Sequence, residues 1–168
     1  FCPWLPEYVW GSSTSARNRD RSRMRQHSSR PSCGDARGVI LIPTRDGEHG
    51  RFDFKCNQGA NFAMTQLLYS DAIVGFLSDF AKTTDHRPEI LLSFGFVPKV
   101  ETRVGLINWL IQDSGNAAVA DEQAFVASLA TTEPDKRRRL MVDLYKRVID
   151  GVADLGFPLS IHLEATYG

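Results

Sequence analysis

The chain has 168 residues, 20 basic against 20 acidic side chains and a 42% hydrophobic content. That is enough apolar material for one domain with a core, and the balanced charge excludes a strongly basic nucleic-acid-binding field over the chain as a whole. No apolar run reaches the ~20 residues that span a bilayer, and the amino end lacks the charged-then-apolar order of a signal peptide. Cys2, Cys33 and Cys56 form an odd, widely spaced set. It fits neither a zinc site nor a disulfide framework and suits a reduced, cytoplasmic setting.

Residues 1–36 differ from the rest. Arg17, Arg19, Arg21, Arg23, Arg25 and Arg30 stand among serines with almost no aliphatic side chains. Such a stretch buries too little apolar surface to offset its ordering entropy, so it is expected to be disordered. An arginine arm for phosphate or RNA is the functional alternative. So abrupt a shift would also follow from an altered start or reading frame.

From Arg37 the pattern becomes periodic. Gly38-Val39-Ile40-Leu41-Ile42-Pro43 is a continuous apolar run, as in a buried parallel strand. A polar loop over 44–51 is followed by a short helix over 52–59 that carries Lys55 and closes at Gly59. A strand is expected over 62–69, then a helix over 72–82 with Asp71 as N-cap. The next strand covers 89–97, stopped by Pro98. Two helices follow over 101–112 and 116–130, joined by Asp113-Ser114-Gly115. Pro134 opens a longer helix with Leu140, Leu144 and Val148 in one stripe and Gly156 as C-cap. The last strand covers 159–165.

Strands alternating with helices predict an α/β fold with a parallel sheet and right-handed crossovers. Four strands make either a small open sheet or half of a barrel. No Gly-x-Gly-x-x-Gly follows a strand, so the usual mark of a dinucleotide-binding fold is missing. Within this frame Gln66 stands out. A buried unpaired amide costs ~1–3 kcal/mol, whereas at the carboxyl end of a parallel strand it faces a ligand site. Glu164 holds the corresponding place on the last strand. His162 is expected to face the core or neighbouring helices rather than a metal.

Gly59-Ala60-Asn61-Phe62-Ala63-Met64-Thr65-Gln66 resembles the methylenetetrahydrofolate reductases, and Lys55 keeps the position of a family lysine. Phe94-Gly95-Phe96-Val97-Pro98 is similar to a second strand end of that family, and Ile161-His162-Leu163 to its last strand. The likeness covers residues 37–168 and extends to the short, divergent mycobacterial members, which work without bound flavin. It implies the carboxyl-terminal half of a (β/α)8 TIM barrel, four parallel strands with their helices, preceded by the disordered segment.

The implied activity is reduction of 5,10-methylenetetrahydrofolate to 5-methyltetrahydrofolate with NADH, in one-carbon and methionine metabolism. By the resemblance Gln66 binds the folate, Trp109 falls near a substrate-facing aromatic, and His49 and Lys55 lie on the cofactor side. FAD is not expected: the aromatic that would stack on flavin is absent after Pro43, and the loop between His49 and Lys55 is short. The family's catalytic glutamate and a tuning aspartate belong to the first and fourth strands, which have no counterpart here. The catalytic residue is therefore open, and the chain alone is expected to be an inactive, truncated form. The alternative is a catalytically silent half-barrel that self-associates or pairs through its open edges. Folate is the expected partner, with no nucleic acid and no membrane.

Overall fold

The computed structural model describes residues 36–96, 100–111 and 116–165. All of these belong to one compact unit, Asp35–Gly168. The segment expected to be disordered lies, but for its last residue, outside the described residues, as do Pro98 and the Asp113-Ser114-Gly115 turn.

The elements run β1 (Gly38–Leu41), α1 (Glu48–Asn57), β2 (Phe62–Thr65), α2 (Ala72–Thr83), β3 (Glu89–Phe96), α3 (Val100–Ile111), α4 (Ala117–Ala130), α5 (Pro134–Val152) and β4 (Leu159–Ala165). The strands form one sheet in the order β1-β2-β3-β4. Every pairing is parallel, from Gly38↔Phe62 in β1–β2 to Phe96↔Ala165 in β3–β4. Sequential order without reversal leaves no switch-point crevice of the doubly wound kind; it is the order of part of a (β/α) barrel. The α/β half-barrel reading therefore holds.

Because side chains alternate across a strand, the sheet has two unlike faces. Leu41, Ala63, Ile90, Leu92 and Phe94 are buried against the helices. They meet Phe52, Ile73, Leu77, Phe80, Tyr145 and Val148, also buried, in one continuous core. Each of the large aliphatic and phenylalanine side chains contributes about 1.5–3 kcal/mol by leaving water. Aromatic contacts lock the layer: Phe52 lies 4.7 Å from Phe80 and Phe94 stacks 4.1 Å from Tyr145, centroid to centroid. The opposite, inner face carries Ile40, Met64, Ser93, His162 and Glu164. Among the described residues no helix is long and apolar enough to cross a membrane.

Several boundaries depart from expectation for identifiable reasons. Helix α1 begins at Glu48, not near residue 52, because Gly47 adopts φ 68° and turns the chain into the helix early. Strand β1 ends at Leu41, since the Ile42 amide points to the Glu48 carboxylate at 3.4 Å. Strand β2 stops at Thr65 rather than continuing to 69: the Leu68 amide instead donates to the Ser93 carbonyl at 3.1 Å, carrying the chain over the end of β3. Asp71 sits at the N-cap of α2 but makes no capping bond there. Helix α5 has Pro134 in its first turn as expected, yet its C-cap is Ala153, and Gly156 supplies a positive-φ turn farther on.

Helices α2 and α5 approach closely at Gly151. A Cβ there would lie 2.8 and 2.9 Å from the two γ-methyls of Val74, a stiff β-branched side chain. Alanine would gain up to ~1 kcal/mol of helix propensity, but overpacking costs ~1–3 kcal/mol. We expect Gly151→Ala to lower stability in urea unfolding and Val74→Ala in the same chain to recover part of the loss.

Candidate functional site at the carboxyl ends of the strands

Beyond Thr65 the chain leaves β2 and folds across the end of β3. The space for this is Gly95: a Cβ there would lie 3.0 Å from Leu67 Cδ2 and 3.6 Å from the Tyr69 hydroxyl. The Gly95 carbonyl in turn accepts a 2.7 Å bond from Tyr145 on α5. Between this crossing segment and the inner face lies a cavity of about 420 Å³, lined by Ile40, Met64, Thr65, Gln66, Leu67, Tyr69 and Glu164. Gln66 and Glu164, read from the sequence as strand-end candidates, thus share one cavity.

Glu164 pairs in register with Gly95, and His162 with Ser93. His162 lies on this inner face, with Nδ1 3.6 Å from Glu164 Oε1, and not against the core or helices as expected. The reason is register: Ile161 and Leu163 take the helix-side face, so His162 must point inward. No cluster of metal-ligating side chains occurs among the described residues.

The other candidates lie elsewhere. His49 packs 4.3 Å from Phe76 and 5.9 Å from Phe80, ring to ring, between α1 and α2. Trp109, on α3, is 63% exposed; it neither joins the core nor lines the cavity. Lys55 reaches back from α1 to the Ile40 carbonyl at 2.7 Å and to Glu48 Oε1 at 3.3 Å. Glu48 is 1% exposed and also meets Arg45 at 3.5 Å. A buried carboxylate is tolerable when paired and hydrogen-bonded in this way. Glu48 thus belongs to α1 and not to a polar loop over 44–51, and a charged side chain gives no local sign of such burial.

Two further groups escaped the sequence reading. Tyr69 is buried, and its phenol is pushed up to about 12, first by desolvation and then by Glu164 and Glu122. Glu122 on α4 is 5% exposed and accepts a 2.7 Å bond from the Ser70 hydroxyl. Burial raises its carboxyl pKa, and the Ser70 bond only partly opposes this. A signal for Glu122 was available: it shares helical spacing with Val119, Val126 and Leu129, all buried.

Comparison with known proteins gives this geometry a family. Residues 28–168 match the family model described as mycobacterial methylenetetrahydrofolate reductase. The chain belongs to that family. The mycobacterial-type reductase match thus covers every described element, including the cavity-lining Gln66 and Glu164. A solved structure from Clostridium thermocellum shares the fold at TM-score 0.55 and 20% identity, over 77% of this chain and 47% of that one. Its description is an uncharacterized protein that binds two copies of 5-methyl-5,6,7,8-tetrahydrofolic acid. The reductase-family chain therefore spans about half the length of that neighbour. No curated protein sequence matches it significantly.

The raised Glu122 carboxyl has a consequence for stability. Between the ordinary carboxylate range and its raised value, the folded state holds a proton that the unfolded chain has released. Its contribution is full below the ordinary range and is lost as pH rises through the folded value. Glu122→Gln keeps an oxygen for Ser70 and removes the titration. We expect its unfolding free energy to fall less than that of wild type as pH rises from the ordinary carboxylate range toward neutrality, measured by denaturant titration.

Proposed function

We propose that this chain forms one wall of a reduced-folate site in an oxidoreductase that converts 5,10-methylenetetrahydrofolate to 5-methyltetrahydrofolate with NADH as hydride donor. The observation that carries the proposal is that Gln66, just past the end of β2, and Glu164, on β4, line one cavity at the carboxyl ends of a barrel-type sheet. Barrel sites are built at that end, from the ends of several strands. The family and the folate-binding description of the Clostridium neighbour support the substrate class.

The chemistry of the wall suits a pterin. An amide such as Gln66 has one acceptor and two donors, and can meet a ring edge that alternates N–H and C=O. A carboxylate such as Glu164 accepts from N–H groups, and His162, when charged, steadies it from 3.6 Å. The apolar floor of Ile40, Met64 and Leu67 supports a flat heterocycle.

NADH enters this proposal as a co-substrate; a flavin does not enter it. The side chains that the resemblance would lend to a flavin are engaged elsewhere, His49 against Phe76 and Lys55 on Ile40 and Glu48. The acid that assists at the folate nitrogen belongs, by the resemblance, to an earlier strand than the four here. General acid–base assistance is typically worth ~10²–10⁴ in rate, and positioning of two reactants can be worth more. We therefore propose that the chain alone binds but does not turn over.

A second reading is a non-catalytic half-barrel that pairs with another half. The exposed Ile161 and Leu163 beside Val142 favour it, because they line an apolar groove of about 330 Å³ between α5 and β4.

Titration of the purified chain with 5-methyltetrahydrofolate tests the site. We expect binding, and a loss of about tenfold in Gln66→Ala, equivalent to about 1.4 kcal/mol. Stability should change by less than ~1–2 kcal/mol, since the amide is half-buried at the cavity wall. Unchanged affinity in Gln66→Ala would reject the assignment. In a separate assay of NADH oxidation with 5,10-methylenetetrahydrofolate, the chain alone should stay at background. Turnover would show that an acid within these residues completes the site.

A further inference from the structure

We propose that Tyr69 is a hydrogen-bond donor to a neutral acceptor atom, a ring carbonyl, of the ligand held by Gln66 and Glu164. This rests on the folate-site reading and names a contact it did not contain.

Tyr69 is 2% exposed and lines the same cavity as those two residues. Its hydroxyl has no hydrogen-bond partner among the described residues. Buried phenols almost always find one, and an unpaired hydroxyl costs about 1–3 kcal/mol. The Gly95 carbonyl takes its side-chain bond from Tyr145 at 2.7 Å and not from Tyr69. The Tyr69 oxygen lies over the inner side of Gly95, 3.6 Å from where a Cβ would stand, and Gly95 is the register partner of Glu164. The hydroxyl is therefore placed at the end of the sheet where the cavity lies. An unsatisfied buried hydroxyl on a cavity-lining residue marks a place prepared for a polar group that the chain does not supply.

The charges around it select the chemistry of that group. Glu164, which lines the same cavity, acts on the Tyr69 hydroxyl electrostatically. A carboxylate or phosphate oxygen of a ligand would meet repulsion there, whereas a carbonyl flanked by N–H groups would not. The phenol stays protonated at neutral pH, so it can donate. A ring edge with C=O for Tyr69 and N–H for Glu164 is a lactam edge, and a pterin has one.

The test uses the full chain, wild type and Tyr69→Phe, titrated with 5-methyltetrahydrofolate and with a 4-amino folate analogue in which an amino donor replaces the ring carbonyl. Phenylalanine keeps the packing and removes only the hydroxyl. We expect Tyr69→Phe to bind the natural folate about five- to twentyfold more weakly, and to narrow its preference over the 4-amino analogue. Its unfolding midpoint without ligand should equal or exceed that of wild type, because an unsatisfied buried hydroxyl has been removed. Unchanged folate affinity in Tyr69→Phe, with affinity lost in Gln66→Ala, would overturn the Tyr69 role and leave the folate site standing. A lowered midpoint with an unchanged analogue preference would overturn it too, showing an internal structural bond. Failure of wild type to take up the folate would overturn both readings.

Discussion

The site depends on one close approach, the passage of residues 66–70 over the end of β3. Gly95 admits it by leaving its inner side to Leu67 and Tyr69. The same residue offers its carbonyl to Tyr145, so helix α5 is pinned to the strand at the point where the segment crosses. The Leu68 amide takes the Ser93 carbonyl, and Ser70 reaches Glu122 on α4. One glycine thus joins β2, β3, α4 and α5, and the cavity is what remains beneath the crossing. A side chain at this place would push Leu67 away and open the cavity floor.

The protein buries two carboxyl groups and treats them oppositely. Glu48 sits among two cations and a backbone amide, which compensate its charge and tie the start of α1 to β1. Glu122 has no cation partner among its described contacts, only the Ser70 hydroxyl, and its pKa rises. A charge removed from water must be either paired or neutralised. The first arrangement serves the fold. The second is joined to Ser70, next to Tyr69 in the chain, and its burial favours the neutral form.

Much of the architecture was legible in the residues. The β4 boundaries, the helical positions of α2 to α5 and the parallel order follow from local chemistry: apolar runs, helical spacing, Pro134, and Asn116, whose side chain accepts from the Ala118 amide at 3.0 Å. The candidate site was half legible. Gln66 and Glu164 could be named because polar side chains toward the carboxyl ends of parallel strands are where barrel sites lie. Tyr69 was absorbed into an expected strand, since an aromatic next to apolar residues looks like strand core.

What the sequence by itself determined is the set of elements, their parallel alternation and the family motif from Gly59 to Gln66, because propensity, periodicity and turn chemistry act within a few residues of each position. What only the tertiary structure decided is which side chains meet. The end of β2 at Thr65, the inward turn of His162 and the convergence of Tyr69, Glu122 and Glu164 all depend on register and on a crossing between strands more than twenty residues apart in the chain. Such contacts are set by where a sheet twists and where a missing Cβ leaves room, and no local pattern encodes either.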